Sequence, residues 1–308
     1  MENIKIYKKV NVIRPTMIAG WPGMGNVALG VVDYLKRHLE STRFAEITID
    51  RLSMLDSVSV EYGLAKFPEP PKNTFYYAKD HDLIIFEGEA QLSGQGAMNL
   101  LNKVLDVAKD FKTTRIYTGA AFPMPVSHKD ASEIYAVVNK NILKDSIVKY
   151  GMKMMEGGHI SGLNGLLLGF AQKHDMDAIC LLATIPQYAI GIPNPKASGA
   201  IIEALSKILE FQIELHELNE YIKDMDEKMA VIEDKVKDVF PLGEEPPAAP
   251  PPEKDKKIPE YIMDRIERLF KEAGQDKSKA MILKKELDRW DLYKLYEDRF
   301  LDLFKDSQ

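Results

Sequence analysis

The chain has 308 residues, 45% of them hydrophobic, so it can form one large domain or two ordinary ones with a full core. Its formal net charge is −6 and no basic block stands out, which argues against a nucleic-acid partner. Cys180 is the single cysteine and lies in an apolar run, so we expect a buried side chain, no intramolecular disulfide and a cytoplasmic protein. The first residues have no apolar signal region, and no apolar run approaches the roughly 20 residues that cross a bilayer.

Residues 16 to about 182 alternate short β-rich runs with helical periods. The strand candidates are residues 16–19, 45–49, 57–61, 74–78, 83–86, 115–118, 133–138 and 178–183. The helix candidates are residues 27–39, 96–109 and 163–173. Strand–helix alternation predicts a mainly parallel sheet with helices on both faces, and we assign this α/β core to residues 1–196. The regular alternation at 57–62 suggests an antiparallel insert.

Beyond the core, apolar residues recur at steps of four and three from residue 201 to residue 239, with Glu and Lys on the flanks. This heptad pattern predicts one long, coiled-coil-like helix over residues 197–240, whose first two turns lie on the sheet. We expect the seam to pair with another helix, in an oligomer or a partner; the alternative is a helix that packs on the sheet throughout. The candidate seam residues are Ile208, Leu215, Leu218, Ile222, Met225, Met229 and Ile232.

The last part of the chain changes composition again. Residues 241–257 contain six prolines and predict a semi-rigid linker. Two more helices are predicted at 259–273 and 277–304, so we assign residues 258–308 to a helical hairpin tail. About 50 residues in two helices rarely make an independent core, and we expect this hairpin to dock on the core, a sister subunit or a partner.

A glycine-rich turn follows the first strand of the core. The stretch Gly20-Trp21-Pro22-Gly23-Met24-Gly25-Asn26-Val27-Ala28 contains a G-x-G-x-x-A match between a strand and a helix, and Asp50 follows the next strand candidate. These features suggest a dinucleotide site, in which amide groups hold phosphate and an acid holds the ribose. The alternative is a tight turn whose glycines allow close helix–sheet packing. No P-loop motif is present.

Two further turns carry polar residues at strand ends. Glu87-Gly88-Glu89-Ala90-Gln91 offers paired carboxylates for acid–base work or Mg²⁺, or simply solvated loop charges. Gly157-Gly158-His159-Ile160-Ser161-Gly162-Leu163-Asn164-Gly165 opens a helix and offers an anion site or a packed turn. His159 and Ser161 have no third partner, so no catalytic residue is assigned. His128 has no metal-ligand spacing and is interpreted as a surface histidine, and no metal is expected.

The turns together predict a crevice at the carboxyl ends of the strands, where open α/β sheets bind ligands. Its candidate lining residues are Gly20, Gly23, Gly25, Asn26, Glu87, Gln91, His159, Gly162 and Asn164. The later loop 185–195 is apolar and proline-rich, and it either lies exposed as an adhesive surface or is pinned inward by Tyr188, Ile190 and Ile192.

These motifs, in this order, resemble the archaeal and bacterial branch of the proteasome assembly chaperone family, sometimes labelled ATP-grasp-like. The resemblance rests on the opening turn 20–28, on 87–91, on Gly162-Leu163-Asn164-Gly165-Leu166-Leu167 and on Ile185-Pro186-Gln187-Tyr188, and it covers roughly residues 10 to 240. It implies a three-layer α/β/α sandwich resembling phosphorylase/hydrolase-like folds, homo-oligomeric assembly, and binding of other proteins rather than catalysis. Relatives that engage proteasome α-rings can end in hydrophobic–Tyr–any residue, whereas this chain ends Lys305-Asp306-Ser307-Gln308.

The sequence and the resemblance lead to one function hypothesis and one alternative. The hypothesis is a non-enzymatic, homo-oligomeric scaffold or proteasome-assembly-chaperone-like protein, with no cofactor, whose partners are itself and proteasome subunits or another protein. The alternative is a nucleotide- or small-ligand-binding enzyme that uses the crevice at the glycine-rich turns.

Overall fold

The structure is a computed structural model of the full chain. It describes residues 3–12, 14–49, 58–67, 69–239, 260–275 and 279–289, together with residues 292, 293, 296, 299, 300 and 303. Asp50 and the predicted proline-rich linker at 241–257 lie outside the described residues.

The predicted alternation of strands and helices is present. The strands are β1 (Asn3–Ile6), β2 (Thr16–Gly20), β3 (Thr42–Thr48), β4 (Ser59–Glu61), β5 (Leu64–Lys66), β6 (Asn73–Ala78), β7 (Leu83–Gly88), β8 (Arg115–Met124), β9 (Ile134–Val138), β10 (Lys153–Met154) and β11 (Ala178–Pro186). The helices are α1 (Val27–His38), α2 (Gly94–Asp110), α3 (Lys144–Val148), α4 (Gly162–Lys173), α5 (Pro195–Leu209), α6 (His216–Val239), α7 (Glu260–Gln275) and α8 (Ala280–Arg289).

The main sheet is mixed, so the expectation of a mainly parallel sheet holds for its four central strands and for the edge pair β9–β10. Its order is β1-β3-β6-β7-β2-β8-β11-β9-β10. The central strands β7, β2, β8 and β11 are parallel, whereas β1–β3, β3–β6, β6–β7 and β11–β9 pair antiparallel. A parallel crossover needs a dozen or more residues. The chain between β6 and β7 is only the short helical turn Lys79–His81 and Asp82, so these strands form a hairpin.

Two hydrophobic clusters lie on opposite faces of this sheet. Along β2, Ile18 belongs to the cluster built with α1 and α5, whereas Met17 and Ala19 belong to the cluster built with α2 and α4. This alternation follows from the two-residue period of a strand. Helices therefore cover both faces of the central strands, which explains why β11 is buried along its whole length.

The predicted single helix over 197–240 is wrong. Helix α5 ends at Leu209, and Glu210 adopts a left-handed conformation with φ of 57° before α6 begins at His216. Phe211 turns inward and is only 6% exposed, so burial of this ring accompanies the break. Leu218 of α6 then packs over Gly199 of α5, where a Cβ would lie 3.3 Å from the leucine Cδ2 atom.

Most of the predicted seam faces the core of the same chain. Leu218 is buried in the cluster of α1 and α5, with Ile208, Leu215 and Ile222 packed against it. Met225 and Met229 form a smaller cluster with Ala189, against which Tyr188 and Ile192 pack. Ile232 is half-buried. The apolar stripe, with its one polar gap at Gln212, packs mostly against the core of the same chain.

The tail forms a compact unit of its own, and the chain divides between Val239 and Phe240. Helices α7 and α8 bury Ile266, Phe270, Leu283 and Leu287 against one another. Helix α7 matches its prediction within two residues, whereas the second tail helix is described only over Ala280–Arg289.

Candidate functional site

The three polar turns predicted from the sequence meet at the carboxyl edge of the parallel strands. Gly20 at the end of β2 lies opposite Glu87 near the end of β7. The turn that follows β2 contacts the start of α4 through Asn164, and the turn after β7 contacts it through Gln91. This edge is where open α/β sheets bind ligands.

Asn164 joins the first turn to α4 by a reciprocal pair of hydrogen bonds. The Trp21 N–H donates to Asn164 Oδ1 at 3.0 Å, and Asn164 Nδ2 donates to the Trp21 carbonyl at 3.1 Å. Thr118 Oγ1 in turn donates to the Asn164 carbonyl at 3.0 Å. The Trp21 side chain is fully buried against Phe86, with ring centroids 4.9 Å apart. The polar atoms of Asn164 are therefore occupied in holding the turn.

Gln91 performs the same task from the second turn. Its Nε2 donates to the Pro22 carbonyl, and its Oε1 accepts from the Leu163 N–H at 2.9 Å. A free backbone N–H at the start of α4 would be an anion donor, but Leu163 already has an acceptor in Gln91. The two side-chain amides thus fasten the turn at 20–23 to the N-terminus of α4.

The glycine motif also uses its amides internally. Gly25 has φ of 61°, and the following Asn26 has φ of 47°. The Gly25 N–H donates to the Ile190 carbonyl at 2.9 Å, and the Asn26 N–H donates to the Gly23 carbonyl at 2.9 Å. Gly20 lies under α1, where a Cβ would be 2.6 Å from the Ala28 carbonyl oxygen. These contacts favour the alternative of a packing turn over a dinucleotide cradle.

A groove of about 1030 Å³ opens beside these turns, between α2, α4 and the end of β8. Of the candidate crevice residues, its lining includes Gly23, Gln91, His159, Gly162 and Asn164. Gly20, Gly25, Asn26 and Glu87 are not part of the lining. Side chains that make the groove apolar are Met24, Leu92, Met98, Phe122, Leu166 and Phe170. Among the described lining residues there is no Asp, Glu, Lys or Arg.

Glu87 is engaged in an ion pair with α1. Its carboxylate oxygens lie 2.6 and 2.7 Å from Lys36 Nζ, which also contacts Asp33 at 3.1 Å. Burial opposes the charged form of Lys36, but the hydrogen bonds to Glu87 and Asp33 outweigh it and raise the pKa of Lys36 above its ordinary value. Glu89 instead accepts from the Lys72 N–H at 2.9 Å. The two carboxylates of this turn therefore do not converge on one site.

The described residues contain no recognisable catalytic or metal-binding set. His159 and Ser161 are both exposed, and no hydrogen bond joins them in the described part of the chain. No group of three or more His, Cys, Asp or Glu side chains converges among the described residues. Burial raises the pKa of the Cys180 thiol to about 12, as expected of the buried cysteine that its apolar run predicted.

A buried polar cluster that sequence reasoning missed fastens α6 to the core. The interpretation of His128 as a surface histidine is wrong, because its side chain is 8% exposed and its Nδ1 lies 2.6 Å from Glu233 Oε2. Ser127 Oγ and the His128 N–H also donate to this carboxyl group at about 3 Å. Tyr188 completes the cluster by donating a hydrogen bond to Glu233. Burial is the main cause that raises the pKa of Tyr188, and the hydrogen bond to Glu233 is the second.

One sequence signal could have indicated this cluster. Glu233 follows Met229 by four positions, so helical periodicity places a carboxyl group on the apolar face of α6. Its partners lie 45 to 106 positions earlier in the chain, which no local pattern can identify. The loop 185–195 is largely pinned inward by the same contacts, although Ile190 stays 43% exposed.

The fold defines a mixed α/β protein with a large central sheet, covered by helices and carrying an uncharged groove at its carboxyl edge. A model of the PAC2 family matches residues 17–233, and the chain belongs to this family. Among known sequences it is similar to the uncharacterized protein MJ1210 of Methanocaldococcus jannaschii, with 24% identity over 259 residues that cover 81% of this chain and 95% of the relative. Among the described residues, no helix is long and apolar enough to cross a membrane.

Three solved structures illustrate the similarity. PbaB of Pyrococcus furiosus, described as an archaeal proteasome activator, shares 26% identity and a TM-score of 0.64, over 75% of this chain and 98% of that one. PbaA of the same organism, described as an archaeal homolog of proteasome-assembly chaperone, shares 19% identity and a TM-score of 0.60, over 78% and 100%. The proteasome-assembly chaperone homologue Rv2125 of Mycobacterium tuberculosis shares 16% identity and a TM-score of 0.58, over 70% and 94%. The last two show the fold alone.

Proposed function

We propose that this protein is a non-enzymatic, homo-oligomeric scaffold that binds other proteins in the manner of a proteasome assembly chaperone. The proposal rests on the chemical character of the side chains that line the groove at the carboxyl edge. Where an α/β enzyme would present polar groups to a substrate, Asn164 and Gln91 hold backbone, and the described lining is mainly apolar and contains no Asp, Glu, Lys or Arg. Such a surface suits protein contacts better than a phosphorylated ligand.

The family supports the same proposal. The chain belongs to the PAC2 family, and the similar structures include proteins named for proteasome activation and assembly. We also infer that α1 and α5 on one face and α2 and α4 on the other make a three-layer α/β/α sandwich. Proteasome subunits are the first partners to test.

The test is direct binding to purified proteasome α subunits of the same organism, measured by native mass spectrometry and analytical ultracentrifugation. We expect a complex of defined stoichiometry that persists when both proteins are diluted to micromolar concentration. Such a complex has a dissociation constant of about 1 μM or lower. Albumin at the same concentration is the control partner. A protein that stays uncomplexed with α subunits, both alone and as assembled rings, would contradict the proposal.

A second candidate function is a small-ligand site in the groove. The observation in its favour is the volume of about 1030 Å³ at the carboxyl edge, which reaches the top of the roughly 300–1,000 Å³ range of small-molecule pockets. A thermal-shift screen with nucleotides, nicotinamide cofactors and Mg²⁺ tests this alternative. A ligand that raises the unfolding temperature of the native protein, but not that of Leu166→Asp, would favour it over the scaffold.

A further inference from the structure

The connection between β3 and β6 carries a small β-hairpin, residues 58–67, which we call the arm. Strands β4 and β5 pair antiparallel, with Val60 opposite Ala65. Tyr62 and Gly63 form the turn, with φ of 51° and 79°. Two consecutive positive φ values are those of the two-residue turn whose twist matches that of a hairpin, so the arm is specified locally.

The arm exposes an unusual amount of apolar surface. All six residues of β4 and β5 are exposed, and the large apolar residues Val58, Val60, Tyr62 and Leu64 are 50%, 67%, 105% and 65% exposed. Together they present several hundred Å², comparable with the largest apolar patches of monomers, about 300–600 Å². A two-stranded hairpin alone in water is at best marginally stable. Contact of its apolar side chains with another surface would therefore stabilise the arm.

The apolar side chains point in several directions. Val60 lies opposite Ala65 on one face of the arm, Leu64 lies opposite Glu61 on the other face, and Tyr62 lies at the tip. Because apolar groups lie on both faces and at the tip, the arm suits insertion into a groove better than contact with a flat surface. Glu61 and Lys66 are 2.9 Å apart and neutralise each other, so the arm carries no net charge.

The same chain presents a matching surface. The groove beside α2 and α4 has a described lining without formal charges, and its rim residues Met24, Met98 and Leu166 are 43%, 40% and 45% exposed. Arm and groove lie at the same edge of the sheet, since β6 begins at Asn73 opposite Gly88, the last residue of β7. The arm and the groove each leave apolar surface in water when alone, and contact between them would bury no unpaired charge of the described groove lining.

We propose that the arm of one copy of this chain inserts into the groove of a second copy. The occupant is a second copy because a single chain carries both halves of the contact, so no foreign surface is needed to bury either. The contact joins two different patches, and it closes either as a reciprocal pair or as a ring. This inference rests on the homo-oligomer of the proposed function and names the surfaces that build it.

The test uses one variant for each half of the contact. Val60→Asp places a charge on the arm, and Leu166→Asp places one on the groove rim; both residues are largely exposed, so the fold should persist by far-UV circular dichroism. We expect each variant to self-associate at least about tenfold more weakly than the wild type in sedimentation equilibrium, because burying an unpaired charge is costly. Ile142→Asp is the control, since Ile142 is 81% exposed next to α3 and should leave the association unchanged.

Mixing the two variants sharpens the test. Val60→Asp retains an intact groove and Leu166→Asp retains an intact arm, so the mixture should form a heterodimer through one arm–groove contact more readily than either variant self-associates. A bismaleimide should also link Val60→Cys of one copy to Leu166→Cys of another, with little background because Cys180, the single native cysteine, is buried. A mixture that stays monomeric, or cross-links that join Val60→Cys to itself instead, would overturn the arm–groove contact.

The outcomes separate this inference from the proposed function. If the wild type oligomerises and either charged variant oligomerises equally well, the arm–groove contact is wrong while the scaffold proposal stands. If the wild type is a monomer at all concentrations, both the contact and the homo-oligomer are wrong. Binding to α subunits is measured separately and bears only on the partner.

Discussion

Asn164 and Gln91 are polar residues at a groove, yet the side-chain amides of both form hydrogen bonds with backbone groups of neighbouring segments. Buried backbone groups need partners, and a long turn such as 20–23 cannot pair its own N–H and C=O groups. The amides therefore explain how a turn with two glycines and a proline keeps one conformation. Because these amide groups already have backbone partners, the motif is interpreted as a structural turn and not as a ligand-binding turn.

Asn164→Leu should destabilise the protein, because it leaves the buried Trp21 N–H and carbonyl without partners. The expected loss in free energy of unfolding is about 1–3 kcal/mol for each orphaned group, measured by urea denaturation. Asn141→Leu is the matched control; Asn141 is exposed, and its replacement should change stability by less than about 0.5 kcal/mol. Equal midpoints for both variants would show that the reciprocal bonds contribute no stability.

Tyr188→Phe should weaken the attachment of α6 at neutral pH by about 1 kcal/mol, because the hydroxyl group donates to Glu233. The pKa of Tyr188 is raised in the folded state by burial and by this bond, so the stabilisation is fully present below the unfolded value of about 10. It should be lost as the pH rises above that value, because the unfolded state then releases the proton more readily. The difference in urea midpoint between wild type and variant should therefore shrink above pH 10. Tyr221→Phe, at an exposed tyrosine of α6 outside the arm and the groove, should show neither effect.

At the scale of elements, the break between α5 and α6 decides what the apolar stripe does. A straight helix of that length would carry its C-terminal half away from the sheet, whereas the turn at Glu210 lays α6 against α5 and α1. Polar contacts also join α6 to these two helices. From α1, Arg37 lies 2.8 Å and His38 3.1 Å from Glu217, and from α5, Lys196 lies 2.9 Å from Asp226. The hydrogen bond from Arg37 lowers the pKa of the Glu217 carboxyl.

The crossing of α1 and α5 depends on a small residue. A Cβ on Gly30 would lie 2.6 Å from Ser198 Oγ and 3.2 Å from its Cβ, and Ser198 Oγ is held by the Val27 carbonyl at 3.1 Å. Gly30→Ala should therefore cost about 1–3 kcal/mol through overpacking, despite its better helix propensity. Gly169→Ala is the matched helical control, because nothing lies within 4 Å of its Cβ position and it should gain about 0.5–1 kcal/mol. Thermal unfolding that shifts in the same direction for both variants would contradict the close crossing.

At the scale of the whole molecule, the chain consists of two compact units that meet in sequence between Val239 and Phe240. The first unit has two hydrophobic clusters on the two faces of its sheet, and the second has its own cluster between α7 and α8. A unit with its own core is expected to fold without the rest of the chain.

A chain truncated after Val239 should therefore keep the unfolding midpoint of the first unit. It should also keep the oligomer size of the full chain, because the proposed arm and groove both lie in the retained part. Calorimetry and mass photometry of the two chains side by side provide the measurements. Loss of the oligomer on truncation, with the midpoint unchanged, would assign self-assembly to the tail hairpin instead.

The sequence by itself determined the local structure of this protein. Two-residue and 3.6-residue periods placed most strands and helices, glycine and proline placed the turns, and the ordered motifs indicated the family, because each of these signals acts between near neighbours in the chain. Tertiary structure alone decided that the heptad stripe packs on its own core, that His128 is buried with Glu233, and that four of the eight strand pairings described in the main sheet are antiparallel. These outcomes depend on contacts between residues as far as 180 positions apart, whose free energies arise only when whole faces meet.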